Sequence, residues 1–330
     1  MGVTGATATG APQAITDCSG SKLPLWLSHF VIAISTEALV KSKSIIRLVG
    51  AWLCIWMSAW AWSAEPAITM QEFRLNTEVP GVQVYVRNKH LQSHTRFGAD
   101  KIVLFVHGAT YPAETAFDMN LPGGSWMDFV AKLGYDAYLL DVRGYGRSTR
   151  PPAMSQAPAA NPPFATTAEA IQDIAVAVDF IRQRRGVDKI NLVGWSWGTS
   201  TTAGYTTQHN DKIRKLVLYA PIWLVKNPPP VGGSGAYRSV TKESARSRGI
   251  RGIPEARVQE ISPDAWFEAW WQANLEADPE GAKQNPPVIR APNGVVKDLS
   301  EYWMSQKPTY DPSQIKVPVM LVLAEWDQDT

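Results

Sequence analysis

The sequence predicts a doubly wound, mostly parallel α/β sheet carrying an inserted cap region. Three observations lead there. Residues 102–106, 137–140, 190–193, 216–219 and 319–323 are nearly continuous apolar runs, the pattern of parallel strands buried on both faces. Segments with helical spacing alternate with these runs: residues 125–133, and residues 167–184 with Ile171, Ile174, Val178 and Ile181 on one face. Between Pro221 and Pro312 the alternation stops, giving a Pro/Gly/Ser-rich basic stretch (residues 227–252) and an aromatic helix at 265–275.

Each element has a local reason. Residues 73–76 and 82–86 alternate apolar and polar side chains across Pro80-Gly81, so they read as an antiparallel pair opening the sheet. The expected organisation is a core at 65–221, a cap insertion at 222–313 and a returning core strand at 314–330. In a sheet of this kind ligands bind beyond the carboxyl ends of the strands, so an insertion following residues 216–219 would roof the site. In the cap helix Trp266 pairs with Trp270, and Phe267 with Trp271, at i, i+4 spacing. The simpler expectation is that these rings glue the cap to the core rather than line an apolar pocket, with both roles open to different rings. Arg238, Arg246, Arg248 and Arg251 read as a solvated face.

The 330 residues are 45% hydrophobic and 19% charged, which fits one α/β domain with an insertion better than two unrelated domains. A net charge of +2 and the absence of a basic-aromatic stripe point away from nucleic acid and toward a small-molecule substrate. Cys18 and Cys54 both precede the folded body, leaving it no disulfide framework or cysteine metal site. Lys41, Lys43 and Arg47 precede an apolar stretch at 48–62 that closes on small residues before Glu65-Pro66, the outline of a secretory signal peptide over 40–64. The stretch is shorter than the roughly 20 residues of a spanning helix, so export to the periplasm or medium is favoured over anchoring through 48–62, the route left for membrane contact. Residues 1–39 then read as a non-native or disordered extension preceding the true start near Val40. Peptides from residues 1–39 in the native protein would refute that expectation.

The chemistry gathers at Gly194-Trp195-Ser196-Trp197-Gly198, which follows an apolar run and precedes a helical stretch at 199–208. This is the G-x-S-x-G nucleophile elbow: the glycines let a strand turn sharply into a helix, and the serine stands at the positive helix end. His107-Gly108-Ala109 follows the strand at 102–106, where a backbone N–H can meet a substrate carbonyl oxygen. Gly144-Tyr145-Gly146 lacks the third glycine and the βα unit of a dinucleotide fingerprint. The five histidines (29, 90, 94, 107, 209) fall on unlike elements without metal-ligand spacing, so neither cofactor nor metal is expected.

Together His107-Gly108, Asp141 to Ser148, the elbow and Ala324-Glu325-Trp326-Asp327 resemble the α/β-hydrolase-fold serine hydrolases, the esterase and lipase-like superfamily, over residues 71–330. The resemblance implies that Ser196 is the nucleophile, that the N–H groups of Ala109 and Trp197 form the oxyanion hole, and that Asp327 orients the base. Asp329 is the weaker acid. Asp141 is expected to pair with Arg143 or to shape the loop through Gly146. The family's histidine follows the acid, and no histidine follows Asp327 here. His209, His90 and His94 are placed far from Ser196, and His107 is expected to support the oxyanion turn. The expectation is therefore a C-terminally incomplete chain, lacking the last strand, helix and base, with its edge at 319–323 uncovered.

The activity implied is hydrolysis of carboxylic esters with small or medium apolar acyl groups through an acyl-enzyme. The serine argues against the dehalogenase and epoxide hydrolase relatives, whose nucleophile is aspartate. Aminopeptidase, amidase or lactonase activity shares the constellation; Asp264, Glu268 or Glu276 would have to hold an aminopeptidase substrate's ammonium. A non-catalytic binding protein on the same scaffold is the other class. Oligomeric state is open.

Overall fold

The computed structural model describes residues 66–224 and 235–328. The proposed signal segment, the extension before it and Asp329 lie outside the described residues. Seven strands form one sheet in the order β1-β2-β4-β3-β5-β6-β9: β1 Ile68–Asn76, β2 Gln83–Leu91, β3 Ile102–Val106, β4 Asp136–Asp141, β5 Ile190–Trp195, β6 Ile213–Tyr219 and β9 Val319–Val322. β2 is antiparallel to both β1 and β4, and every pairing from β4 to β9 is parallel. The expected class holds. The first two strands run longer than their alternation indicated, because the β1–β2 pairing continues to Ile68↔Leu91 through polar residues.

Alternate residues of β3, β4, β5 and β6 enter two different cores, which is why their sequences show no polar face. Ile102, Leu104, Val106, Ile190, Leu192, Leu216 and Leu218 pack with α3 (Thr167–Arg185) and α4 (Trp197–Gln208). Val103, Phe105, Val193 and Val217 face α1 (Ala113–Phe117) and α2 (Trp126–Lys132). α3 starts where Thr166 and Glu169 close a reciprocal capping box, and it stops at Gly186 in the left-handed region, φ 64°. Its Ile174, Ala177, Val178 and Ile181 are fully buried.

Two features of the cap escaped its composition. β7 (Tyr237–Thr241) and β8 (Val288–Pro292) form an antiparallel pair, joined through α5 (Lys242–Gly249) and α6 (Asp264–Ala277). The basic stretch thus contains a strand and a helix, the helix opened by Thr241 accepting from the Ser244 N–H. Trp271 of α6 is buried with Ala245 and Ile289 and glues the cap together. Asn274, also buried, accepts from Thr115 Oγ1 at 2.9 Å and so ties α6 to α1.

At the other side of the sheet β9 pairs only with β6, and Val319, Met320 and Leu321 are exposed, Met320 and Leu321 by 61% each. An apolar groove of about 810 Å³ runs beside it over the sheet face, lined by Trp126, Val130, Val193, Val217 and Met320. The run at 319–323 looks, in sequence, like its buried neighbours, yet among the described residues its flank is open. An apolar edge strand with free N–H and C=O groups promotes intermolecular pairing. Replacing Met320 with Lys and Leu321 with Glu is expected to lower concentration-dependent association in light scattering severalfold, with the circular dichroism spectrum unchanged.

Candidate active site

β5 ends at Trp195 and α4 begins at Trp197, so Ser196 makes the whole turn, at φ 53°, ψ −120°. A serine in this region is strained, and the strain persists only where neighbours fix the turn on every side. The Ser196 N–H donates to Tyr219 O at 2.9 Å at the end of β6, and its carbonyl accepts from the Thr199 N–H at 2.8 Å. Its hydroxyl makes no capping bond to α4.

The two glycines are required by contact. A Cβ at Gly194 would strike Gly198 O and Thr202 Oγ1, and one at Gly198 would strike the carbonyl oxygens of Val106 and His107. Helix α4 can lie this close, buried from Trp197 to Thr206, because most of its threonine hydroxyls bond back to its own carbonyls, Thr201 and Thr202 to Gly198 O at 3.0 and 2.7 Å and Thr206 to Thr202 O at 2.7 Å, while Ser200 donates to Ile222 O. Alanine at a helical position is ordinarily favoured over glycine by up to about 1 kcal/mol. Here the sign reverses: Gly198→Ala is expected to destabilise by about 2 kcal/mol or more in urea unfolding, since backbone, not a flexible side chain, occupies the space.

The strand β3 delivers the second wall. Gly108 lies against the turn, where a Cβ would sit 2.9 Å from Ser196 Cβ and 3.1 Å from Trp195 O. His107 is completely buried; the Val142 N–H donates to its Nε2 at 3.1 Å, so the proton is on Nδ1, which donates to Gly108 O at 2.7 Å. Burial pushes its pKa down to about 4. Both ring nitrogens are engaged in holding the turn, as expected from sequence. The unfolded chain binds this proton near pH 6.5 and the folded one only near 4, so the stability that neutral His107 provides is lost as pH falls through that window. The advantage of the parent over His107→Gln in unfolding free energy is expected to shrink by about 3 kcal/mol from pH 7 to pH 4; a pH-independent difference would contradict this.

Asp141 takes the second of its two expected roles. It accepts from the backbone N–H groups of Ala113 at 2.8 Å and Arg147 at 2.9 Å, and a Cβ at Gly146 would strike its carboxylate. Arg143 pairs instead with buried Asp173, Nη2 to Oδ1 at 2.7 Å. Burial raises the Asp141 pKa to about 6.

Above Ser196 lies a cavity of about 700 Å³. Ser196, Ala109 and Asp327 all line it, with Trp195 and Tyr219 below and Trp266, Phe267 and Trp270 of α6 above. The fourth residue singled out, Trp197, is at the first position of α4, where N–H groups have no intrahelical acceptor. Its side chain points away, fully buried, with Nε1 donating to Thr167 Oγ1 at 3.0 Å. Asp327 lies past β9, whose Val322 pairs with Tyr219, the residue that also holds the Ser196 N–H. Among the described histidines none lines the cavity: His90 and His94 sit beside Phe97, and His209 caps the far end of α4 against Tyr205.

The cap corrects two expectations. Trp266, Phe267 and Trp270 line the cavity, Trp270 edge-on to Tyr111 at 4.5 Å, while only Trp271 serves purely as glue. The helical spacing showed the four rings but not which face met the cavity. The four arginines are not one solvated face: Arg248 and Arg251 line the cavity, Arg246 bonds Ser262 and Asp264, and Arg238 is half-buried with three acceptors. Of the carboxylates considered for an ammonium, Asp264 pairs with Arg246 at 2.6 Å and Glu268 with Lys242 at 2.5 Å, and none of the three lines the cavity. Among the described residues no group of His, Cys, Asp and Glu could hold a metal ion, and no helix is long and apolar enough to cross a membrane.

A family model described as the alpha/beta hydrolase fold matches residues 101–240, from the start of β3 through the elbow into β7. The chain has the α/β-hydrolase fold. It is 29% identical over 162 residues to gastric triacylglycerol lipase of Rattus norvegicus, covering 47% of this chain and 40% of that one. It is 28% identical over 131 residues to epoxide hydrolase 3 of Siraitia grosvenorii, 40% of this chain and 35% of the other. The chain thus spans well under half the length of these curated relatives. Among solved structures, an N-acyl homoserine lactone degrading enzyme superposes with a TM-score of 0.48 at 17% identity, covering 78% of this chain and 83% of that one. The elbow and the turn at residues 107–109 lie inside the matched segment and Asp327 outside it.

Proposed function

We propose that this α/β-hydrolase-fold protein is a serine hydrolase that cleaves carboxylic esters of small or medium apolar acyl groups through an acyl-enzyme. The observation that carries the reading is Ser196: a non-glycine residue forced to φ 53° at a helix N-terminus, half-buried at the floor of a cavity it shares with Ala109 and Asp327. Such strain, held on all sides, marks a residue kept for chemistry rather than packing.

In this reading Ser196 Oγ attacks the ester carbonyl, forming a tetrahedral oxyanion. The N–H groups of Ala109 and Trp197 receive its charge. A trans peptide sets the Gly108 C=O and the Ala109 N–H in opposite directions, so His107, by drawing the carbonyl toward itself, turns the N–H the other way. The Trp197 N–H adds the positive end of α4. The alcohol departs, and water then releases the acyl group. Asp327 orients the base that relays the proton; the described histidines do not supply that base, and the reaction depends on one reaching Ser196 Oγ. Trp266, Phe267, Trp270 and Tyr111 give the cavity an apolar, aromatic wall suited to an acyl chain. The carboxylates considered for an amine do not serve it: Asp264 and Glu268 are in ion pairs and none of Asp264, Glu268 and Glu276 lines the cavity, where the carboxylates are Glu325 and Asp327. The absence of a cavity histidine among the described residues favours, as second reading, a non-catalytic binding protein on the same scaffold.

A panel of nitrophenyl esters and amino-acid anilides, given to the protein as its gene encodes it, separates these readings. Turnover of butyrate and hexanoate esters, little of the anilides, and a fall of at least about 10³-fold in Ser196→Ala are expected. Equal turnover by Ser196→Ala would remove the serine from the mechanism. Tight acyl-ligand binding with no turnover would favour the binding protein.

A further inference from the structure

We infer that Arg238, on cap strand β7, is a positioning residue for the oxyanion loop, acting through Thr110; this rests on the reading of Ala109 as an oxyanion donor. Thr110 follows Ala109 directly and has φ 83°. A β-branched residue is a genuine outlier there, and such a conformation lasts only while surrounding contacts impose it. One side of the loop is explained by the elbow: Gly108 lies against Ser196 and Trp195, and its carbonyl accepts from His107 Nδ1. The other side has a charged anchor in Arg238. Arg238 Nη2 donates to Thr110 Oγ1 at 2.6 Å, while Nη1 donates to Pro292 O at 2.8 Å and to Asn293 Oδ1 at 3.3 Å.

The guanidinium therefore bridges three pieces of chain at once. Its Cα belongs to β7, its Nη1 contacts lie at the end of β8, and only Nη2 reaches the loop. The rigid planar fork fixes the loop relative to the cap strands in a way a single ammonium cannot. The anchor's own footing is firm: the Asn293 N–H donates to Ala236 O at 2.9 Å, Asn293 Nδ2 donates to Gly235 O at 2.9 Å, and Gly294 N–H donates to Phe164 O at 2.7 Å. Tyr145, whose ring lies 4.7 Å from that of His107, is buried on the same side within electrostatic reach of Arg238. Arg238 does not line the cavity, so it does not meet substrate. What it determines is whether residue 109 keeps its N–H aimed where the oxyanion forms, and it makes that aim depend on the seating of the cap.

Thr110→Val tests this cleanly, because it keeps the branched shape and its strain, leaves Arg238 bonded to Pro292 and Asn293, and removes only the hydroxyl. Hydrogen exchange read by mass spectrometry should rise on the order of tenfold in the peptide spanning 107–111, as loss of a bond to a charged donor implies. The strand peptides around 236–241 and 288–293 should stay at parent rates, and Thr110→Ser should restore the loop. Ester kcat should fall about tenfold in Thr110→Val with KM within twofold, since the loop serves the transition state and not ground-state binding. Arg238→Met should loosen both the loop and the strand ends. Parent-like exchange at 107–111 in Thr110→Val would overturn the inference, as would loosening confined to the cap strands in Arg238→Met. If the parent protein turns over no ester, the hydrolase reading fails on that result, while the exchange data still decide whether the clamp exists.

Discussion

Where β5 turns into α4, three backbones meet with no space for a Cβ. Gly198 lies against the carbonyls of Val106 and His107 at the tip of β3, Gly194 against the first turn of α4, and Gly108 against Ser196 itself. This close approach sets the site. It brings the end of β3 beside the N-terminus of α4, so that Ala109 and the first N–H of α4 fall on either side of one serine. It also obliges α4 to bury polar side chains, and Thr201, Thr202 and Thr206 bond theirs to the helix's own carbonyls. The strain at Ser196 is the local cost of that convergence, offset by the Tyr219 and Thr199 bonds and by the cores on both sheet faces.

The loop that follows β3 is held from two directions of different character. His107 fixes the Gly108 carbonyl from inside the core, with its ring kept neutral by burial. Arg238 reaches Thr110 from the cap, which is built separately and joined to the core through Asn274, Arg290 and the 158–165 loop. The turn at residues 107–110 thus sits between a support from the core and one that belongs to the cap. The aromatic face of α6 closes the cavity from above, with Trp270 resting on Tyr111 of the same loop.

Much of this was legible from short-range pattern. Both-face burial leaves continuous apolar runs, which mark β3, β4, β5 and β6 to within a few residues; β9 carries the same kind of run with its side chains exposed. The elbow glycines announced a contact that the structure shows to be backbone on backbone. The cap was read least well, for physical reasons. β7 is five residues long with a mixed pattern of exposure, and its partner β8 lies nearly fifty residues away, so no local periodicity marks either. Arg238 looks in sequence like its neighbours Arg246 and Arg248, and only the β7–β8 register places its guanidinium beside Thr110. For α6 the i, i+4 spacing gave two aromatic faces, but which one lines a cavity is a tertiary fact. Asp141 and Arg143, two residues apart, look like partners in sequence; β4 ends at Asp141 and Arg143 stands in the turn that follows, where Asp173 takes the arginine.

The central claim is that the convergence of β3, β5 and α4 makes Ser196 a nucleophile. A fluorophosphonate probe, followed by peptide mass spectrometry, reads that property at the residue itself. The protein as its gene encodes it should carry one phosphonyl adduct on Ser196, formed by the folded protein, lost on denaturation before exposure and absent in Ser196→Ala. An adduct on another residue, or none on a protein that retains its folded spectrum, would contradict the account.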